Sequence, residues 1–196
     1  MDYYVLLETS NSRSVYAELP ETFEETYYQR PRGRLPEQNA PLKFQVPGLR
    51  QHYPFKETIG SYSLWRLWSK RLLGLLEYFS PVNIQAIPVV LTCRKGRILS
   101  SDYCLLNNQL YIQDVFNLSE SIYTRWETGL DFKEKKKLVV DFDRAGGAPI
   151  FETLELPNRL FVSQEFLNLV YELIPKEMRD EWLLVDVRDP EQLYLV

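Results

Sequence analysis

Leu160–Ile174 reads LFVSQEFLNLVYELI, and its hydrophobic period changes at Ser163. Leu160–Val162 is a short apolar run, the signature of a strand. Ser163 stands where a helix N-cap belongs, its hydroxyl able to accept an early backbone N–H. Beyond it Phe166, Leu167, Val170, Leu173 and Ile174 form an apolar stripe, with Glu165, Asn168 and Glu172 polar. That stripe has helical spacing and predicts a helix over 164–174 packed on a core. Glu181–Val187 (EWLLVDV) follows as a strand.

The same order occurs 100 residues earlier. Ser63 precedes Leu64, Trp65, Leu67, Trp68, Leu72, Leu75, Leu76 and Phe79, which predict a helix over 64–79, and Pro81 stops it. On this reading Trp65 and Trp68 are core residues. Asn83–Arg94 then reads as a strand, with Pro88 marking an edge or a bulge. The similarity is one of pattern, not identity. It places two principal helices on one sheet.

The remaining segments read as strands. Asp2–Glu8 (DYYVLLE) opens the chain with one. Leu42–Val46 alternates and reads as a short edge strand. Lys95–Gly96 is a turn, and Asn107–Asn108 suits a tight hairpin between Tyr103–Leu106 and Gln109–Val115. Ser119–Trp126, Leu138–Phe142 and Ile150–Leu156 continue an antiparallel meander. Pro31, Pro36, Pro41, Pro47 and Pro54 exclude a long helix from an irregular segment over 29–58. The expected fold class is α+β: one domain over 1–196, mainly antiparallel sheet, with packed helices and a Pro-rich wrapping segment.

Composition narrows the function. A chain of 196 residues with 45% hydrophobic and 26% charged residues has an ordinary globular make-up. It buries enough surface to fold without disulfides or metal. No apolar run reaches the roughly 18 residues a membrane span needs, and Met1–Tyr4 leads straight into strand-like sequence without a leader pattern. A cytoplasmic location, no membrane partner and no cofactor are the expectations. The pI of 5.2 argues against a nucleic-acid partner. Charge is unevenly spread: residues 1–25 carry −5, residues 26–171 carry +5 and residues 172–196 carry −4. If the two acidic ends meet, they form a surface that attracts a basic partner.

No catalytic set stands out. Gly146–Gly147 fits no phosphate loop. His52, the one histidine, lies in the Pro-rich stretch and serves no evident triad. Asp141 and Asp143 bracket Phe142. A DxD can bind metal, but a strand end with both carboxylates outward and Phe142 inward explains it more simply. Lys135–Lys137 and the arginines Arg30, Arg32 and Arg34 read as solvated loops. Cys93 and Cys104 read as two small buried hydrophobes rather than a disulfide across a hairpin. Thirteen tyrosines and four tryptophans favour a binding protein over an enzyme.

The stretch from Val82 to about Tyr171 adds a resemblance. It contains Asn83-Ile-Gln-Ala-Ile-Pro-Val89, Tyr103-Cys-Leu-Leu-Asn107, Asp114, Ser121-Ile-Tyr123, Ile150-Phe-Glu152 and Leu160-Phe-Val-Ser163. This order resembles a family of bacterial polymorphic-toxin immunity proteins, the one numbered eleven, formerly a domain of unknown function. The start at Tyr3-Tyr-Val-Leu6 suits it too. Pro88, Asn107, Ser121 and Ser163 are the matched positions expected to fix turns, bulges and caps. The resemblance covers roughly half of the chain, and the aromatic first helix departs from it.

The resemblance implies an immunity protein that binds a cognate toxin and neutralises it by non-catalytic occlusion; it is not an enzyme. By analogy with acidic inhibitors of basic nucleases, the expected partner is a basic toxin and the expected contacts are Glu177, Asp180, Glu181, Asp186 and Asp189. Two other readings compete. One is an adaptor or chaperone that loads an effector and leaves it active. The other is a small metal-dependent hydrolase using Asp141, Asp143 and Glu152.

Overall fold

The computed structural model describes residues 2–8, 16–17, 35, 40–46, 56–61, 66–79, 83–125, 127, 132–176, 182–189 and 192. Its strands are β1 (Tyr3–Glu8), β2 (Tyr16–Ala17), β3 (Leu42–Gln45), β4 (Thr58–Ser61), β5 (Arg66–Ser69), β6 (Ile84–Thr92), β7 (Ile98–Asn108), β8 (Tyr111–Ile112), β9 (Ile122–Arg125), β10 (Phe132–Lys137), β11 (Ile150–Thr153), β12 (Leu160–Ser163) and β13 (Trp182–Val185). The helices are α1 (Lys70–Gly74), extended by a 3-10 turn over Leu75–Tyr78, α2 (Phe142–Ala145) and α3 (Gln164–Leu173). A six-stranded sheet runs β2-β4-β5-β7-β6-β3, a five-stranded sheet runs β13-β1-β12-β11-β8, and β9 and β10 pair with each other. Pairing is mostly antiparallel, as expected; β2–β4, β3–β6 and β8–β11 are parallel. The α+β class therefore holds. The 83–156 meander does not, because β8 and β11 leave it for the five-stranded sheet.

Strand alternation builds three core layers. On β7, Cys104 and Leu106 point into a central cluster, while Tyr103 and Leu105 point into an outer one. On β12, Leu160 and Val162 join the same central cluster, and Phe161 faces a second outer cluster with Tyr3, Val5 and Phe151. The central cluster also takes Trp68 from β5, Leu72 and Leu76 from the first helical segment, and Phe166, Leu167 and Val170 from α3. Both helices thus share one core with a face of each sheet, rather than packing on a single sheet. A strand buried on both faces is apolar at successive positions, which accounts for the unbroken LFV of β12. Each large side chain buried in this way contributes about 1.5–3 kcal/mol.

α3 begins where Ser163 predicts. The Ser163 hydroxyl accepts the Phe166 amide at 3.1 Å. The expected 64–79 helix needs correction. Arg66–Ser69 is strand, pairing with β4 on one side and with Tyr103–Leu106 on the other. Leu67 faces the outer cluster and Trp68 the central one. With both faces buried, Leu67 and Trp68 are apolar at successive positions, and the pattern mimics a helical stripe. Helix starts only after Ser69, whose hydroxyl accepts the Leu72 amide at 3.0 Å. Ser63, Leu64 and Trp65 lie outside the described residues.

Two further differences have local causes. Asn107 and Asn108 are not a turn; they end β7 opposite Gln85 and Ile84, and both are buried. Their polarity is met by side-chain bonds: the Asn107 amide donates to Gln85 Oε1 at 3.1 Å, and Asn108 to the Leu110 carbonyl at 3.0 Å. The β6–β7 hairpin turns at Lys95–Gly96, as expected, where Gly96 takes φ 75°. That conformation suits glycine. Pro88 lies just before the stretch where β3 begins to pair with β6, at Val89, and a register shift follows between Val89 and Leu91. β3 forms the edge of the six-stranded sheet, as its sequence predicts.

Candidate protein-binding surface

The strands β1 and β13 meet and bring Asp2 beside Asp186. β1 and β13 pair antiparallel, with Val5 opposite Val185 and Leu6 opposite Leu184. The Gln164 amide donates to the Asp2 carbonyl at 2.8 Å, fixing the start of α3 beside the start of β1. After β13 the chain turns at Asp186, whose carboxylate accepts the Arg188 amide at 2.9 Å. This turn sends the Arg188 guanidinium back across the junction. Its Nη1 donates to Asp2 Oδ1 at 2.7 Å, its Nη2 to Asp186 Oδ2 at 2.7 Å and its Nε to Asp186 Oδ1 at 2.9 Å. A fork of this kind matches carboxylate geometry.

The electrostatics follow from this clamp. Arg188, by hydrogen bonding, holds the Asp186 carboxyl below its usual range. Asp186 in turn raises the Arg188 guanidinium above its ordinary value. Tyr4 sits among Asp2, Asp186, Arg188 and Tyr171, and its phenol is raised by burial and then by the two carboxylates. Tyr3 is pushed up to about 12 by burial and by the Glu165 charge. Tyr171 and Glu172 are exposed on α3. The surface is acidic and aromatic, with one arginine internally matched to two aspartates.

Of the expected contacts, Asp186 belongs to this surface, and Asp189 follows it in the same turn. Asp189 accepts a bond from Gln192 at 2.8 Å, and its amide donates to the Asp186 carbonyl at 3.0 Å. Glu177, Asp180 and Glu181 lie outside the described residues, as do His52, Arg30, Arg32 and Arg34. Sequence reasoning missed Asp2 and Arg188. The sequence carries no direct signal for them; only the pairing of the first and last strands brings their flanks together.

Other candidates resolve differently. Asp141 is not on a strand end. It caps α2, its Oδ1 accepting the Asp143 and Arg144 amides at 3.1 and 3.2 Å. Phe142 is 38% exposed instead of inward, with its ring 6.3 Å from that of Tyr3. Glu152 is buried and faces Arg66 at 3.3 Å. No group of three or more metal-ligating side chains forms among the described residues, so Asp141, Asp143 and Glu152 are not gathered into one site. Lys135–Lys137 belong to β10, not to a loop, because β9 pairs with them. Cys104 sits opposite Pro88, while the Cys93 amide bonds Arg97 across the turn, so the cysteines do not face each other. Both thiols are free, and Cys93 is only half-buried. Burial raises the Cys104 thiol; the Lys95 and Arg97 amides lower that of Cys93.

Comparison with known proteins places this surface in no family. No family model matches the chain, and no curated protein is significantly similar to it. Among the described residues no helix is long and apolar enough to cross a membrane.

Proposed function

We propose that this protein is an immunity protein that binds a basic bacterial toxin and neutralises it by occlusion, with the acidic surface around Asp2 and Asp186 as its contact. The observation that carries the reading is the β1–β13 pairing, which brings Asp2 and Asp186 together at one place on the surface. The resemblance of residues 82–171 to an immunity family supports the same reading. Acidic charge concentrated on one face speeds capture of a basic partner. Tyr4 and Tyr171 supply aromatic area of the kind that anchors interfaces. Occlusion needs tight binding, on the order of nanomolar or −12 kcal/mol, and no chemistry from this chain.

Co-expression tests it. Each open reading frame beside this gene is expressed in a bacterial host with and without the protein, and growth is followed. Rescue together with a co-purifying complex supports immunity. A toxic neighbour that binds this protein and remains toxic points to the loading adaptor instead. If no neighbour is toxic, the reading falls.

A further inference from the structure

Two charged side chains, Glu155 and Arg125, carry buried atoms without hydrogen-bond partners where the β9–β10 hairpin rests on the rest of the protein. Glu155, between β11 and β12, is 3% exposed. Its Oε1 accepts the Asp114 amide at 2.6 Å, while its Oε2 has no hydrogen-bond partner. Asp114 presents that amide from a left-handed backbone, φ 53°, a conformation that costs a non-glycine residue energy. On β9, Arg125 has its Nε and Nη2 buried and unpartnered. Its guanidinium lies over two rings instead, 5.5 Å from the centre of Tyr123 and 5.6 Å from that of Phe132.

Phe132 links the two. It is the cross-strand partner of Arg125, so their side chains share a face of the hairpin. Its own amide donates to the Glu155 carbonyl at 3.3 Å. The Phe132 ring is buried in the same cluster as Leu156. Arg125 and Glu155 therefore flank one contact between hairpin and body. A buried carboxylate oxygen and buried guanidinium N–H groups left unmatched are each costly, and pairing them relieves both. The hairpin is suited to movement. Its strands pair only with each other among the described residues, with two register shifts, and a lone two-stranded hairpin is marginal in water.

We propose that Arg125 is a two-position latch. In one position it lies over the paired rings of Tyr123 and Phe132; in the other it pairs with Glu155 Oε2 and fastens the β9–β10 hairpin to the body. Exchange between the positions sets how often the hairpin opens.

Hydrogen exchange on the full chain tests this, read at the amides of Ile122–Arg125 and Phe132–Lys137. Arg125→Ala and Glu155→Gln are each expected to speed exchange there about tenfold, the loss of one charge-assisted bond. The double variant is expected to exchange no faster than the faster single one, with the amides of Leu160–Ser163 unchanged. A double variant whose acceleration is the product of the two singles overturns the latch. So does a hairpin that neither substitution affects. If either variant also speeds the β12 amides, the milder pair Arg125→Lys and Glu155→Asp is judged by the same criterion.

Discussion

The rings of Trp68 and Phe166 lie 6.1 Å apart and within 5° of parallel. Trp68 immediately precedes the Ser69 cap of α1, and Phe166 is the residue whose amide the Ser163 cap holds. The stack thus joins the two strand–serine–helix units at their starts, in the core that both sheets share. Trp68→Ala is expected to cost about 3–5 kcal/mol, since it removes a fully buried ring from a filled core. Trp68→Phe should lose less. Denaturant unfolding followed by circular dichroism measures both, and equal losses would show that the ring contact contributes little.

The two caps should not be equivalent. Ser163→Ala removes one cap bond and is expected to cost about 1 kcal/mol. Ser69 also donates its hydroxyl to the buried Glu57 carboxylate, which Arg71 holds from the other side. Ser69→Ala leaves that carboxylate short of a donor, so its cost should be about 2 kcal/mol or more. The same unfolding titration ranks them, and a larger loss at Ser163 would contradict the assigned network.

Arg66 joins the two sheets. From β5 it reaches Glu152 on β11 at 3.3 Å and the Asn158 carbonyl at 3.1 Å. Arg66→Ala takes the guanidinium away from the buried Glu152 carboxylate, and the expected loss is about 3 kcal/mol. Adding Glu152→Gln to it should recover part of that loss. Stability falling further in the double variant would show that Glu152 depends on other partners more than on Arg66.

The clamp at Asp186 gives a pH signature. Its carboxyl is depressed in the folded protein, mainly by Arg188. A depressed acid stabilises the fold above its unfolded pKa of about 3.9, and that contribution is lost as pH falls through the lower folded value. Asp186→Asn and Arg188→Met should therefore both flatten the acid limb of the stability curve, since each removes the depression. Both groups are partly solvated, so high salt should shrink the effect. Thermal unfolding between pH 2 and 6, a range spanning the usual carboxylate titration, reads this out; an unchanged acid limb in Asp186→Asn would assign the depression to the wrong group.

What was legible in the sequence depended on how many faces an element buries. α3 exposes one face, so Glu165, Asn168 and Glu172 mark its period and Ser163 marks its start. β5 buries both faces, and nothing at Leu67 or Trp68 separates a strand from a helix. Asn107 and Asn108 have turn chemistry, but Gln85 and Leu110 satisfy it inside the fold. At the candidate surface the charges of Asp186 and Asp189 were visible. The contact between Arg188 and Asp2 spans 186 positions and exists only through the β1–β13 pairing.

The most direct test of the central claim is the rate at which this protein captures the toxin identified by co-expression, measured by stopped flow at low and high salt. An acidic docking face predicts that association slows as salt rises. It also predicts that a charge-reversed variant, Asp2→Lys with Asp189→Lys, associates at least about tenfold more slowly at low salt. An association rate that neither salt nor charge reversal changes would contradict the account.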